Sequence, residues 1–265
     1  MKKIIATALA LAAVLTVASA KTKKKNNTLT VGATPEPHAE ILKLIKDDLK
    51  KQGIKLQIVE FTDYVTPNKA LEDGEIDANY FQHLPYLESF NEEQGTHLAS
   101  AAGIHIEPIA LYSAKYKALA DIPAGATLAI PNDPTNEGRA LLLLQSAGLL
   151  TLKESAGITA TPLDIVTNSK NLKFKEIEAA SLPRVLQDVD AAIINGNYAI
   201  PAGLNASKDG LFVEGKDSPY VNVVAVKKGD ENDPRIQALA KALQSKKVKD
   251  WILKKYPNGD VIAVF

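Results

Sequence analysis

The 265-residue chain contains no cysteine, which excludes disulfides, thiolate zinc sites, iron–sulfur clusters and cysteine nucleophiles. Its four histidines, His38, His83, His97 and His105, are too few for a histidine-rich metal cage. An excess of one charge is also missing. Lys+Arg and Asp+Glu both number 31, and a dedicated nucleic-acid binder would show a basic surplus. The phosphate-binding P-loop, the dinucleotide-binding GxGxxG, the nucleophile elbow GxSxG and the HExxH metal signature are all absent. No nucleophile–base pairing is legible, so a non-enzymatic protein without a cofactor or metal is expected. Beyond residue 20 there is no apolar run long enough to span a bilayer.

What is present describes an exported globular chain. With 46% hydrophobic and 23% charged residues it can bury a sizeable core. Lys2 and Lys3 precede an apolar stretch from Ile4 to Val17, and Ala18-Ser19-Ala20 fits the small-x-small cleavage pattern. Residues 1–20 therefore read as a secretory signal peptide, with an uncleaved membrane anchor as the alternative. The basic stretch 21–27 has no apolar periodicity and reads as a flexible tether.

Short strands and helices then alternate. Leu29-Thr30-Val31-Gly32-Ala33 is a β-type run, and Ile41, Leu42, Ile45 and Leu49 recur at helical spacing before Gly53. Residues 54–61 alternate as a strand, completing a strand–helix–strand unit that implies parallel pairing. Further strands are expected at 77–81, 128–131, 191–194 and 221–226, with a longer extended run over 97–112. Helices are expected over 66–72, from Leu84, over 134–147, 181–187, 234–243 and 248–256. The pattern is α/β, and periodicity alone leaves open whether it builds one sheet or two joined by extended crossings.

Three stretches carry candidate binding chemistry. Asn79-Tyr80-Phe81-Gln82-His83-Leu84-Pro85-Tyr86 concentrates aromatics and a histidine beside a helix start, although the chain has only eight Tyr, six Phe and one Trp. Aromatic walls suit an apolar or thioether side chain. Pro131 to Arg139 opens a helix straight after a strand, where free backbone N–H groups and Arg139 suit an anion or carboxylate. Ile193-Ile194-Asn195-Gly196-Asn197-Tyr198 sets two amides and a glycine just beyond a buried strand, the usual place for ligands in open α/β sheets. The pairs His38/Glu40 and His105/Glu107 offer possible metal ligands, but i,i+2 residues on a helix do not face each other. Solvated or locally bonded histidines are the expectation there.

Taken in chain order, these stretches resemble the methionine-binding, NlpA-type substrate-binding proteins of bacterial ABC importers. The resemblance rests on Gly32 to Glu40, on Asp63-Tyr64-Val65 with Pro67 to Leu71, and on Asp77 to Leu87. It continues through Ile130 to Leu141, Asp190 to Leu204, Ser218 to Asn222 and Lys247-Val248-Lys249. It implies a two-lobe periplasmic-binding-protein-like α/β fold with a ligand cleft. The expected divisions are 28–110 for the first part of lobe 1, 111–225 for lobe 2 and 226–265 for the return segment. It also implies that Arg139 grips the ligand carboxylate, that Asn197 and Asn222 hold the head group, and that Tyr64, Phe81, His83 and Tyr86 surround the side chain. Tyr64 and Asn222 come from the resemblance alone. The ligand implied is L-methionine, with D-methionine, another apolar amino acid or a short methionine peptide as alternatives, and a metal-capture role as a remoter one.

The implied partners are a membrane permease and its ATPase, with no nucleic acid, and a monomer in the periplasm or on the outer face of the cytoplasmic membrane is expected. The chain departs from the family in having Ala20 and Lys21 where a lipid-anchored cysteine is usual, which leads to the expectation of a freely soluble form. Glu36 replaces a common glycine, and Thr167-Asn168-Ser169 replaces a more typical Glu-Asn-Pro.

Overall fold

The computed structural model describes residues 27–215 and 218–265. The expected signal peptide and nearly all of the tether lie outside the described residues.

Alternation begins as expected. Strand β1 (Thr28–Ala33) leads through a proline-rich turn into helix α1 (Glu40–Lys51) and strand β2 (Lys55–Glu60). Ile41, Leu42, Ile45 and Leu49 are fully buried while the lysines between them face water, so one apolar stripe holds the helix to the sheet. Gly53, at φ +79°, follows the end of the helix, a left-handed conformation that favours glycine. Helix α2 (Thr66–Glu72), strand β3 (Ala78–His83), helix α3 (Leu84–Gln94) and strand β4 (Leu98–Ile106) follow.

The extended run expected over 97–112 is broken at Glu107-Pro108-Ile109, because Pro108 has no N–H to continue the ladder. The chain then enters a second sheet. It runs through β5 (Ala110–Tyr112), β6 (Thr127–Pro131), helix α4 (Pro134–Ser146), the small hairpin of β7 (Thr151–Leu152) with β8 (Ile165–Thr167), and β9 (Lys173–Ile177). Helix α5 (Leu182–Val185), β10 (Ala191–Ile194), the short helices α6 (Gly196–Ala199) and α7 (Ala206–Asp209), and β11 (Phe212–Val213) complete it. Strand β12 (Val221–Lys227), helices α8 (Pro234–Leu243) and α9 (Lys246–Lys255) and strand β13 (Ile262–Ala263) return to the first sheet.

The larger sheet has six strands in the order β13-β4-β12-β3-β1-β2, and the smaller has five in the order β11-β5-β10-β6-β9. Strands β1, β2 and β3 are parallel to one another, as are β6, β9 and β10. Each sheet has its own apolar core. Val31, Ile45, Tyr80, Val224 and Leu239 belong to one, and Leu111, Leu128, Leu141, Leu144 and Ile193 to the other. Two cores joined by two crossings make a two-lobe α/β protein.

Two further expectations need correction. The return crossing placed at 226 falls inside β12, which pairs with β3 and β4 from Val221 onward. The β-branched run there is bonded on both edges, so the chain reaches the larger sheet before Val221. The helix expected over 181–187 is one short turn, α5, because Leu186 to Asp190 turn directly into β10.

Candidate functional site

The loop after β2, the end of β3 with the start of α3, the residue after β4 and the start of β12 in one lobe, and the segments that follow β6 and β10 in the other, deliver side chains to a cavity of about 330 Å³, mouth included, lined by Tyr64, Phe81, Gln82, His83, Tyr86, Glu107, Asn136, Arg139, Asn195, Gly196, Asn197 and Asn222. The seven residues expected from the sequence, Tyr64, Phe81, His83, Tyr86, Arg139, Asn197 and Asn222, are all brought together there.

One wall is aromatic. The Tyr64, Phe81 and Tyr86 rings lie 5.8–6.2 Å apart, centroid to centroid, within the range of favourable aromatic pairing. Tyr86 Oη donates to the Tyr64 backbone carbonyl at 2.9 Å, fixing the loop that carries Tyr64. His83 caps α3 by accepting the Tyr86 backbone N–H at Nδ1, so its proton sits on Nε2 and is donated to Asn136 Oδ1 at 3.1 Å. Burial and then the nearby Arg139 charge push His83 down to about 3, so the ring is neutral at physiological pH.

The facing wall is polar. Asp133 caps α4 and accepts from both the backbone and the side chain of Asn136, whose oxygen also receives Asn195 Nδ2 at 2.6 Å. Arg139, six residues on, is buried at 4% exposure. Its Nε and Nη2 donate to Glu214 at 2.9 and 2.5 Å, Nη2 also donates to the Glu107 carbonyl at 2.8 Å, and the guanidinium lies 4.3 Å from the Tyr220 ring centroid. These contacts hold the fork rigid in the wall of the cavity it lines. Tyr64 Oη donates to Asn197 Oδ1 at 2.5 Å across the lobes. Asn197 Nδ2 and Asn195 Oδ1 are buried with no hydrogen-bond partner, an unusual cost unless a ligand satisfies them.

Behind the cavity lies a buried network: of the expected solvated or locally bonded histidines, His38 and His105 are locally bonded, to Thr34 and Glu107, and neither is solvated. His38 and His105 are 1% and 0% exposed. His105 and Glu107 straddle the end of β4, where i,i+2 residues share a face, and His105 Nε2 meets Glu107 Oε1 at 2.8 Å. His38 Nε2 lies 3.3 Å from the same oxygen and 3.1 Å from Asn222 Oδ1. Thr34 Oγ1 and Tyr80 Oη lie 2.8 and 2.5 Å from the two Nδ1 atoms. One proton arrangement satisfies every contact: both imidazoles donate from Nε2, and the two hydroxyls donate to Nδ1. The ligating atoms of His38, His105 and Glu107 lie within 4.8 Å of one another, close enough for these donors to hold a metal ion. Burial pushes His38 down to about 4 and His105 to about 3, and it raises Glu107.

Of the lining residues outside the expected seven, Gln82, Asn136, Asn195 and Gly196 fall inside the three stretches singled out from the sequence. Glu107, singled out in the sequence only beside His105 as a metal-ligand candidate, also lines the cavity. The strand period and the following Pro108 were the signals that could have placed it at a strand end facing the same way as His105.

The chain matches the NlpA lipoprotein family over residues 29–265. It is 48% identical to the membrane lipoprotein TpN32 of Treponema pallidum over 240 residues, 91% of this chain and 90% of that one. It is 45% identical to the methionine-binding lipoprotein MetQ of Bacillus subtilis, covering 89% and 88%. Among solved structures, a nutrient-binding protein from Burkholderia cenocepacia bound to methionine superposes with a TM-score of 0.86 at 47% identity, covering 89% of this chain and all of the other. Among the described residues no helix is long and apolar enough to cross a membrane. With its two-lobe fold, its cleft and a match that runs from β1 to the final residue, the chain belongs to the NlpA lipoprotein family.

Proposed function

We propose that this protein captures methionine in the cleft between its lobes and delivers it to an ABC importer, without covalent chemistry. The observation that carries the reading is the pairing of Arg139 and the unsatisfied Asn197 and Asn195 side chains with an aromatic cage on the opposite wall. A carboxylate placed on the free guanidinium N–H groups of Arg139 would accept charge-assisted bonds, and Asn197 and Asn222 would orient the head group. Tyr64, Phe81, His83 and Tyr86 would enclose a thioether, with sulfur–aromatic contacts of roughly 0.3–1.5 kcal/mol each. The methionine named for the relatives supports this ligand. Both enantiomers fit the reading.

The lobes would close and open about the crossings that follow β4 and β11, presenting a composite surface to a permease and its ATPase. An exported protein working at the outer face of the cytoplasmic membrane fits the leader-like residues 1–20 and the lipoprotein names of the relatives. Equilibrium dialysis with labelled methionine tests the proposal. One equivalent bound per chain is expected, and Arg139→Ala should weaken binding by about 1.5–3 kcal/mol, the scale of a hydrogen bond to a charged group. Unchanged affinity in the variant would remove Arg139 from the site.

A further inference from the structure

Three exposed lysines crowd one end of the larger sheet. Lys46 and Lys50 on α1 and Lys55 at the start of β2 line a surface groove of about 810 Å³, mouth included, over the buried Ile54 and Leu56, with Asp47 as the one acid lining it. Among the described residues, none of these three ammonium groups has a hydrogen bond or an ion pair. Their neighbours differ: Lys43 pairs with Glu60 at 2.7 Å, and Lys51 and Lys247 share Asp48 at 3.3 and 2.6 Å. Asn27 stands at the rim of the groove. Its carbonyl accepts the Lys55 backbone N–H at 2.8 Å, and its side-chain nitrogen lies 3.8 Å from where a Cβ on Gly53 would stand.

The sequence adds charge at that rim. Lys21, Lys23, Lys24 and Lys25 precede Asn27 by two to six residues, and a chain spans at most about 3.6 Å per residue, so their Cα atoms lie within about 22 Å of its own. Three lysines in the groove and four ahead of it make seven, on a chain whose formal net charge is zero. Asn27 and Lys55 stand at the amino ends of the parallel strands β1 and β2, whereas Tyr64 follows β2 and His83 closes β3 at the opposite end. A partner that covers the groove therefore leaves the ligand cavity uncovered. Ammonium groups on long stems, with no fixed fork among them, suit an extended negative surface better than one small anion. An exported chain meets such a surface at the membrane it has crossed.

Going beyond the proposed function, and resting only on its reading of an exported chain, we propose that this basic edge docks on a bilayer of anionic phospholipid. The lysines lie over the phosphate headgroups, and the contact holds the protein at the membrane with its cleft free to take up ligand.

The test is co-sedimentation of residues 21–265, which hold both cores, with vesicles of equal parts phosphatidylglycerol and phosphatidylcholine and with vesicles of phosphatidylcholine alone. Binding is expected to the anionic vesicles only, and it should fall steeply from about 0.1 to about 0.5 M salt. Replacing the groove lysines together, Lys46→Gln, Lys50→Gln and Lys55→Gln, should weaken it by about 10-fold or more. The same loss of charge at exposed lysines of the other lobe, Lys117→Gln, Lys173→Gln and Lys175→Gln, should change it by less than about threefold. No binding to the anionic vesicles, equal binding to both kinds, or a groove variant that loses no more than the other variant would overturn the proposal. So would displacement by excess glycerol phosphate, which would mark a site for a soluble phosphoester. Methionine affinity should be the same in the groove variant and the wild type, since none of the replaced lysines lines the cavity. A chain that sediments with anionic vesicles but ignores methionine would overturn the proposed ligand and leave this edge standing.

Discussion

Arg139 illustrates how a residue is prepared for its role before any ligand arrives. Its position on α4 is fixed by the Asp133 cap, and Glu214, the Glu107 carbonyl and the Tyr220 ring occupy three sides of it. A fork held this way loses little freedom on binding, which is where preorganisation gains affinity. The buried histidines are held neutral by the same lack of water. Each is lowered from 6.5, so its contribution to stability is present above pH 6.5 and is lost as pH falls through about 4 for His38 and about 3 for His83 and His105. Glu107 is raised by burial and has the opposite sign, costing stability above the ordinary carboxylate range. Because these contributions offset, a melting curve reads them poorly and NMR reads them directly. The imidazole resonances of His38, His83 and His105 should stay fixed from pH 8 to about 5.5. A midpoint near 6.5 for any of them would contradict the burial described.

At the scale of elements, tight contacts between neighbours should be costly to disturb. Gly138 sits in α4 where it crosses the 154–159 loop, and an added Cβ would lie 2.1 Å from the Ile158 carbonyl oxygen. Gly138→Ala is therefore expected to lower stability by about 1–3 kcal/mol despite alanine's better helix propensity. A melting temperature at or above wild type would show that the loop yields freely. On α1, Ile45→Ala removes a fully buried side chain from the core of the larger sheet and should cost about 2–5 kcal/mol in denaturant unfolding. A loss under 1 kcal/mol would mean the site collapses around the gap.

The legibility of the sequence follows this division. Helix α1 and strands β1, β6 and β10 stand out because their apolar residues keep a clean period. Arg139 and Asn197 stand out because they follow a strand end by a few residues. Strand β9 was missed: its Lys173, Lys175 and Glu176 are exposed on a sheet edge, so no apolar run marks it. Tyr64 and Asn222 were placed only through family likeness, since Tyr64 meets Asn197 across 133 residues and Asn222 meets His38 across 184. Local periodicity carries no information at that range. In the histidine network only the local links, Thr34 to His38 and His105 to Glu107, are within reach of spacing, whereas Tyr80 meets His105 across 25 residues and His38 meets Asn222 across 184.

For the molecule as a whole, two cores and two crossings allow the lobes to move as units while the site is split between them. The contacts seen across the cleft, Tyr64 to Asn197, His83 to Asn136 and Tyr198 Oη to the Thr62 carbonyl at 3.1 Å, describe a closed arrangement. Ligand that bridges the same walls should favour it, and binding should raise the melting temperature with ligand concentration. The most direct test of the account is a crystal structure of residues 21–265, refolded free of ligand and then soaked with L-selenomethionine. The chain's single methionine is Met1, so any selenium in the anomalous map belongs to the ligand. The account predicts one strong peak inside the cage of Tyr64, Phe81, His83 and Tyr86, with the carboxylate on Arg139. An empty cage, or a selenium peak anywhere else on the molecule, would contradict it.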